Sequence, residues 1–591
     1  MQLFGVAGSW PQSNVQAASV PNEAVEPDRH GGCRAPHLHT SDGITVALQG
    51  GPVWHAGTKL DDPARLVLEV YRKHGRRFLT RLTGRFALAI VDRGAGSALL
   101  AVDRMGIERV VYRATGPGLV FATSTQLVRS FSGLSASLRP QALFDYMLLH
   151  MVPSPDTVYA GVSKLAPGTC AVFERGRLTI ERYWAPEFAE ASGQTFAETR
   201  AALLDRLRLA VCDCHPDDRT GAFLSGGLDS STVAGVLGQV SGRPPRTFSI
   251  GFGVDAYNEL EYAHIANRKF GAIAHEYNVT ADDIVDAFPK IAAAYDEPFG
   301  NSSAVPTYFC AKLAVEHGIT HLLAGDGGDE IFGGNERYAR QSIFEAYGRL
   351  PRFARQIIEP LIAHVADDSR IVPLRKLRSY VDQARIPMPE RLESWNFMYR
   401  SNLAAMLEPD VLAAIDPRAP FRRMAEVYAA APGKSLLHRM LYYDWHYTLS
   451  DNDLRKVGTM CELAGVRVSY PMLDDRVVEV SLQVPARVKM RGLELRSFYK
   501  KAMRGFLPAE VIAKKKHGFG LPFGVWLKSH ARLGAYVYGL LGDLKGRRLV
   551  RADFIDDLIT QHRGGHASYF GYAIWDLAML EAWLQINGAR Y

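Results

Sequence analysis

Apolar and polar positions change their period along this chain. Over residues 44–53 they alternate as on a strand with one buried face, while 62–74 (DPARLVLEVYRKH) carries Leu66, Val70 and their apolar neighbours at helical spacing. Strand-like runs follow at 85–91, 98–102, 110–112 and 119–122, separated by Gly or Asp turns. Apart from the opening FGVAGSW, the first 40 or so residues are rich in Pro, Gly, Ser and Ala and read as loop. Together these predict a two-sheet sandwich that ends near Tyr183-Trp184, followed by a polar linker over 185–197. The pattern then changes. Helix-length amphipathic segments alternate with short apolar strands at 221–224, 246–251 and 321–324, which predicts a parallel sheet with helices on its faces. Beyond about residue 340 the chain reads as mostly helical, with no internal repeat.

Composition narrows the classes. The 591 residues carry 69 Lys+Arg against 62 Asp+Glu, a net charge of +7. That excess is too mild for a histone-like tail or a general nucleic-acid binder. With 22% charged and 47% hydrophobic residues, disorder as the main state is excluded. Six cysteines without a C-x-x-C pair predict neither a disulfide scaffold nor a zinc ribbon, and Cys212-Asp213-Cys214-His215 reads as a chance cluster. Neither a signal peptide nor an apolar run of the ~20 residues needed to span a bilayer is evident, so a cytoplasmic enzyme is expected.

Two loops carry the chemistry. Ala222-Phe223-Leu224 leads into Ser225-Gly226-Gly227-Leu228-Asp229-Ser230-Ser231 and then a helical run. Adjacent glycines let a backbone turn tightly around an anion. Ser230 and Ser231 open a helix, where free N–H groups favour phosphate. Asp229 would repel a bare phosphate and is explained by a Mg²⁺ that bridges it to a pyrophosphate. The plainer alternative is a strand–turn–helix corner capped by Ser. No Lys follows the glycines, so this is not a Walker A loop. The second string, Gly325-Asp326-Gly327-Gly328-Asp329-Glu330, follows the strand at 321–324. Ligands bind at the carboxyl ends of parallel strands, so it should emerge beside the first loop, with Asp329 as a second Mg²⁺ carboxylate. A solvated Gly/Asp loop is the alternative; an EF-hand spacing is absent. Between the two, 295–307 reads as an ordered substrate-side loop.

SGGLDSS resembles the pyrophosphate loop of the N-type ATP pyrophosphatases. With the second loop, Pro471-Met472-Leu473-Asp474, Lys516-His517-Gly518-Phe519-Gly520 and, earlier, Asp103-Arg104-Met105-Gly106-Ile107 and Phe121-Ala122-Thr123-Ser124, the chain resembles the asparagine synthetase family over nearly its whole length. The resemblance implies an α/β protein: an Ntn-hydrolase-like β-sandwich layered with helices, a class II glutaminase-like domain over 1–185, and a parallel-sheet, adenine-nucleotide α-hydrolase-like synthetase domain over 198–591 with a helical C-terminal part. It implies ATP and Mg²⁺. Ser225, Gly226, Gly227, Asp229 and Ser230 would cradle the pyrophosphate, with Ser231 beside them, and Asp229 and Asp329 would hold the metal. Leu224 and Ile250 would flank the adenine, and Gly325 would lie by the ribose. Lys516 would stabilise charge on the α-phosphate, and Asp326 would stand on the acceptor side.

The sequence also departs from the family. A glutaminase needs a cysteine at its N-terminal nucleophile position; matching Phe4-Gly5-Val6-Ala7-Gly8 to the family's C-G-I-A-G puts Phe4 there, and the family's N-G-E segment becomes Gln49-Gly50-Gly51. No glutaminase activity is expected. Arg467 and Ser469 replace the family's E-x-R before Pro471, near the expected acceptor site. The expected activity is therefore ATP-dependent amide formation between a small-molecule or peptide carboxylate and an amine or ammonia. Asparagine synthesis from free ammonia, lasso-peptide cyclisation (with a precursor peptide and a protease as partners) and β-lactam ring closure compete, with a non-catalytic ATP-binding scaffold as the reading of another class. Finally, residues 487–516 hold ten basic side chains against Glu494 and Glu510, more than the whole net excess. This predicts a local field suited to a polyanionic nucleotide.

Overall fold

The computed structural model of the chain describes residues 3–8, 37–54, 62–134, 137–191, 193–254, 257, 259–348, 350–351, 353, 355–356, 359–360, 372–515 and 520–588. Its first part holds β1 (Phe4–Gly8), β2 (His37–Ser41), β3 (Ile44–Trp54), β4 (Leu82–Asp92), β5 (Ser97–Val102), β6 (Val111–Thr115), β7 (Gly118–Ala122), β8 (Ser163–Lys164), β9 (Thr169–Glu174) and β10 (Arg177–Arg182). They form two antiparallel sheets, in orders β1-β7-β6-β8 and β10-β9-β5-β4-β3-β2.

Period-two patterning explains the layers. On β4, Ala87 and Ala89 point between the sheets and meet Ala47, Ala98, Leu100, Phe121 and Phe173. Phe86, Leu88 and Ile90 point the other way, onto Val67 and Leu68 of helix α1 (Pro63–His74). Small residues on the inner face let the two sheets close around the aromatic rings. Helix α1 starts where Asp62 accepts a hydrogen bond from the Arg65 N–H at 3.0 Å, and it ends in Arg72, Lys73 and His74 at the negative pole of its dipole. Helices α2 (Thr125–Phe131) and α3 (Pro140–Leu149) cover the first sheet.

One strand falls where loop is expected. β2 pairs with β3 from His37↔Leu48 to Ser41↔Ile44. It is an edge strand, with Leu38 its one apolar residue among His, Thr and Ser, that takes its hydrogen bonds from a neighbour and needs no apolar alternation.

The segment over 185–197 is polar as expected, but it is clamped rather than loose. Phe188 stacks on His438 with ring centroids 4.4 Å apart, and the Ala189 N–H donates to the Leu482 carbonyl at 2.9 Å. Helix α4 (Phe196–Asp213) follows, opened by a Thr195–Glu198 capping box.

The second part is built on five parallel strands: β11 (Thr220–Phe223), β12 (Arg246–Phe252), β13 (Ile273–Val279), β14 (His321–Leu323) and β15 (Arg467–Ser469), in order β13-β12-β11-β14-β15. Strands β13 and β15 lie at the edges, the first largely exposed and the second three residues long, so neither has an apolar run to betray it. The chain goes outward from β11 to β13, then returns to place β14 on the other side of β11. That reversal opens a crevice at the carboxyl ends of β11 and β14. Helices α5 (Leu228–Ser241), α6 (Leu260–Phe270), α7 (Ala281–Ala294) and α8 (Ala304–Glu316) connect the strands. The helix Ala567–Ile586 is mostly apolar and is buried from Ala573 to Leu584, with the Trp583 indole donating to the Tyr295 carbonyl at 2.9 Å. No helix among the described residues is long and apolar enough to cross a membrane.

Candidate active site

The crevice is a cleft of about 700 Å³. Strand β11 delivers the first loop to it. Leu224 extends the pairing, its N–H donating to the Phe248 carbonyl at 2.9 Å and its carbonyl accepting from the Ser249 hydroxyl at 2.7 Å. Gly226 turns the chain at φ +68°; a Cβ there would lie 2.5 Å from the backbone of Tyr262 and Ala263, so only glycine fits against α6. The loop is tied by its own hydroxyls. Ser230 Oγ lies 3.1 Å from Ser225 Oγ and accepts from the Ser225 N–H at 3.2 Å. Gly227 caps α5 without a side chain, so the helix presents its first N–H groups to the cleft.

Asp229 and Ser230 line the cleft, as do Leu224, Ser225, Gly227, Ile250, Gly325, Asp326 and Asp329. Ser231 does not. One residue is about 100° of helix, and this turn puts its side chain, fully buried and with no hydrogen-bond partner among the described residues, on the packed side of α5. Lys516 lies outside the described residues. Its neighbours Lys514 and Lys515 line the cleft, and Lys514 Nζ donates to the Ser225 carbonyl at 3.2 Å and pairs with Glu259 at 3.0 Å.

The second loop presses directly on the first. A Cβ on Gly325 would lie 2.6 Å from the Ser230 nitrogen and 2.8 Å from the Asp229 carbonyl carbon. Helix α9 (Gly328–Phe332) then starts one residue before Asp329. The residue that joins the two loops is absent from the expected site. Arg496 grips Asp229 with both terminal guanidinium nitrogens, Nη2 at 2.7 Å and Nη1 at 3.1 Å, and pairs with Asp329 as well. It is buried and stands at φ +55°, in the left-handed region. Its only trace in the sequence is membership of the basic stretch.

That stretch is not the open field its composition predicts. Lys489 is buried beneath α9, donating to the Ile331 carbonyl at 2.9 Å, and burial pushes its ammonium down to about 7. Arg496 is neutralised by two carboxylates, which leaves Lys500, Lys514 and Lys515 as the other basic residues of that stretch on the cleft wall among the described residues.

On the far side, Asn301, Ser303, Pro306 and Thr307 bring the 295–307 segment into the wall. Burial pushes the Asp326 carboxyl up to about 6 against the attraction of Lys456. Lys456 itself pairs with Asp453 at 2.7 Å, and these carboxylates outweigh the burial that opposes its charge. Arg467 and Ser469, placed by the sequence near the acceptor site, do not line this cleft. Ser469 Oγ and Arg467 Nη2 hydrogen-bond opposite nitrogens of His321, at 2.8 and 3.0 Å. Arg467 faces a separate cavity of about 190 Å³ that Arg85, Glu108, Arg109 and Glu297 also line.

The comparisons with known proteins agree with this architecture. A family profile described as asparagine synthase matches residues 202–585. The chain belongs to the asparagine synthase family. A second profile, a glutamine amidotransferase domain, matches residues 59–184. Asparagine synthetase [glutamine-hydrolyzing] 1 of Bacillus subtilis (strain 168) is 24% identical over 533 residues, covering 89% of this chain and 81% of the relative. A putative asparagine synthetase [glutamine-hydrolyzing] of Mycobacterium tuberculosis (strain ATCC 25618 / H37Rv) is 27% identical over 552 residues, covering 88% and 79%. Amidase chry2 of Gibberella zeae is 25% identical, over 47% of this chain and 44% of its own. At the level of the asparagine synthase family the activity is ATP-dependent amidation.

Among the described residues no cluster of three or more His, Cys, Asp or Glu could hold a metal unaided. Asp229 and Asp329 nevertheless suit Mg²⁺. They are hard oxygen donors that converge on one cation, and Mg²⁺ sites use one or two carboxylates with phosphate oxygens supplying the rest.

In the first part, Phe4 opens β1 opposite Ala122 and packs edge-on against Phe131, ring centroids 5.0 Å apart. Gln49 donates to Glu108 at 3.4 Å. Cys33 lies outside the described residues, and buried Cys170 has its thiol pushed up to about 11 by desolvation.

Proposed function

We propose that the chain joins a carboxylate to an amine or ammonia by way of an adenylated acyl group. A carboxylate oxygen of the acceptor attacks the α-phosphorus of ATP and pyrophosphate leaves. The nitrogen lone pair then attacks the acyl carbon, AMP departs with the bonding pair, and the proton of the nitrogen passes to a base. The observation that carries this reading is the pair of carboxylates, Asp229 and Asp329, converging on one cation beside the open N-terminus of α5. Ser225, Gly226, Gly227 and Ser230 hold the pyrophosphate, Leu224 and Ile250 flank the adenine, and Gly325 lies by the ribose. Mg²⁺ held by Asp229 and Asp329 would offset charge on the departing pyrophosphate. Lys516 stabilises charge on the α-phosphate. Asp326, raised to about 6, is the base that takes the proton.

Glutamine is not the nitrogen source in this proposal. Phe4 offers no nucleophile, and a thiol held near 11 such as Cys170 is not a thiolate at neutral pH. The same observation favours acceptors that carry their own amine, as in lasso-peptide cyclisation or β-lactam closure.

Pyrophosphate release, with ATP and Mg²⁺ saturating, is to be screened against aspartate, amino-diacids and peptides, each with ammonium or with glutamine. Release lost in Asp229→Ala is expected. Product formed from glutamine as fast as from ammonium would sink the nitrogen-source reading. No release with any pair, in wild type as in Asp229→Ala, would leave an ATP-binding scaffold.

A further inference from the structure

Arg496 holds a conformation that costs energy and a position that another cation should want. Its φ of +55° is unfavourable for a residue with a side chain, and it caps the short helix Ser497–Ala502 from that strained position. The reward is its reach. The guanidinium enters the 700 Å³ cleft and sits, almost wholly buried, on both Asp229 and Asp329. Gly334 makes room for it, since a Cβ there would run into the guanidinium and the Asp329 carboxylate together.

Two carboxylates with one guanidinium leave a single negative charge among these three groups on the wall of the cleft. A divalent cation cannot join them while the guanidinium remains between them, because the two would repel at contact distance. Proton loss offers no way out, since a guanidinium stays charged at any working pH. Arg496 must move off the carboxylates, and it will do so when a second anion is offered. A di- or triphosphate provides one of the right shape, with oxygens that a planar fork can grip bidentately.

We propose that Arg496 is a placeholder for the metal: it holds Asp229 and Asp329 together and offsets part of their charge while the cleft lacks nucleotide, and it transfers to the phosphates as the divalent cation takes its place. Metal binding is thereby conditional on the polyphosphate. This inference rests on the Mg²⁺–nucleotide reading of the site. The test uses the full-length chain and Mn²⁺ as the probe, scored as Mn²⁺ retained with protein above an ultrafiltration membrane, with and without a saturating non-hydrolysable ATP analogue. Wild type alone should retain Mn²⁺ weakly and wild type with analogue strongly. Arg496→Met, without analogue, should bind about tenfold more tightly than wild type alone, the size of an ordinary coupling between sites. Should Arg496→Met not fold by circular dichroism, Arg496→Lys, whose single ammonium spans one carboxylate, serves in its place with a smaller gain. Wild type that binds Mn²⁺ equally with and without analogue, or a variant with no gain, overturns the placeholder role and leaves the site reading intact. Wild type that retains no Mn²⁺ even with analogue overturns both.

Discussion

Gly325→Ala puts the contact between the two acidic loops under test. The added methyl carbon would stand 2.6 Å from the Ser230 nitrogen, 2.8 Å from the Asp229 carbonyl carbon and 3.0 Å from the Ser230 Cα. All three are backbone atoms at the start of a 14-residue helix packed on both sides, so no flexible side chain can yield. Relief requires the loops to separate by roughly 0.5–1 Å, and overpacking of this kind costs about 1–3 kcal/mol. The functional cost is larger. Asp229 and Asp329 stand on opposite loops, and a displacement of about 1 Å in a reacting assembly is worth around 10²-fold in rate. Gly325→Ala should therefore fold with a lowered melting temperature, bind a non-hydrolysable ATP analogue less tightly by calorimetry, and release pyrophosphate about 10²-fold more slowly. Gly116→Ala, at a glycine with nothing within 4 Å of its added carbon, is the matched control and should change none of the three. If Gly325→Ala matched that control in melting temperature and analogue affinity, the loops would not be in the contact described.

Three further outcomes follow from neighbouring side chains. Ser231→Ala removes a buried hydroxyl without a partner among the described residues, so stability should hold or rise and analogue affinity should not change, whereas Ser230→Ala should lose about 0.5–1.5 kcal/mol from the loop's hydrogen bonds; equal calorimetric affinities for the two variants would contradict the placement. Asp326 has its carboxyl raised by burial, so the folded state holds its proton more strongly than the unfolded chain and stability falls as pH rises from about 4 to 6. Asp326→Asn should then be the more stable protein at pH 8 and merge with wild type below pH 4 in denaturant titrations, while wild-type turnover should rise through pH 6; a variant no more stable at pH 8 would refute this. Lys489 is depressed by burial to about 7, so the unfolded chain binds the extra proton and stability rises from pH 7 towards 10.5. Lys489→Met should flatten that rise, and an unchanged slope in denaturant titrations across pH 7–10 would count against a buried amine.

Most strands that bury a face are legible from the pattern alone: β3, β4, β5, β7, β11, β12 and β14 stand where apolar runs or alternation place them, whereas buried β9, inside the second sheet, is not among the runs read from the sequence. β2, β13 and β15 are not, because an edge strand borrows its ladder from a neighbour and carries no apolar signature of its own. Asp229, Ser230, Asp326 and Asp329 reach one cleft, as their loops suggest. Ser231 was indistinguishable from Ser230 in the string, and only the angle of a helix that already exists turns it away. Arg467 and Ser469 sit four and two residues before Pro471, yet their side chains meet His321 rather than the cleft.

What the sequence determined by itself is local: which segments bury a face, and two glycine–aspartate loops whose side chains and turns suit a phosphate and a hard cation. Tertiary structure alone decided which of them meet. β14 lies beside β11 because the chain reverses across the sheet, a pairing about 100 residues apart along the chain. Arg496 reaches Asp229 across 267 residues and turns two acids of the cleft wall into a half-buried pair that shares one guanidinium. No periodicity records such a contact, because hydrophobic patterning specifies which face is buried but not which distant charge will be buried against it.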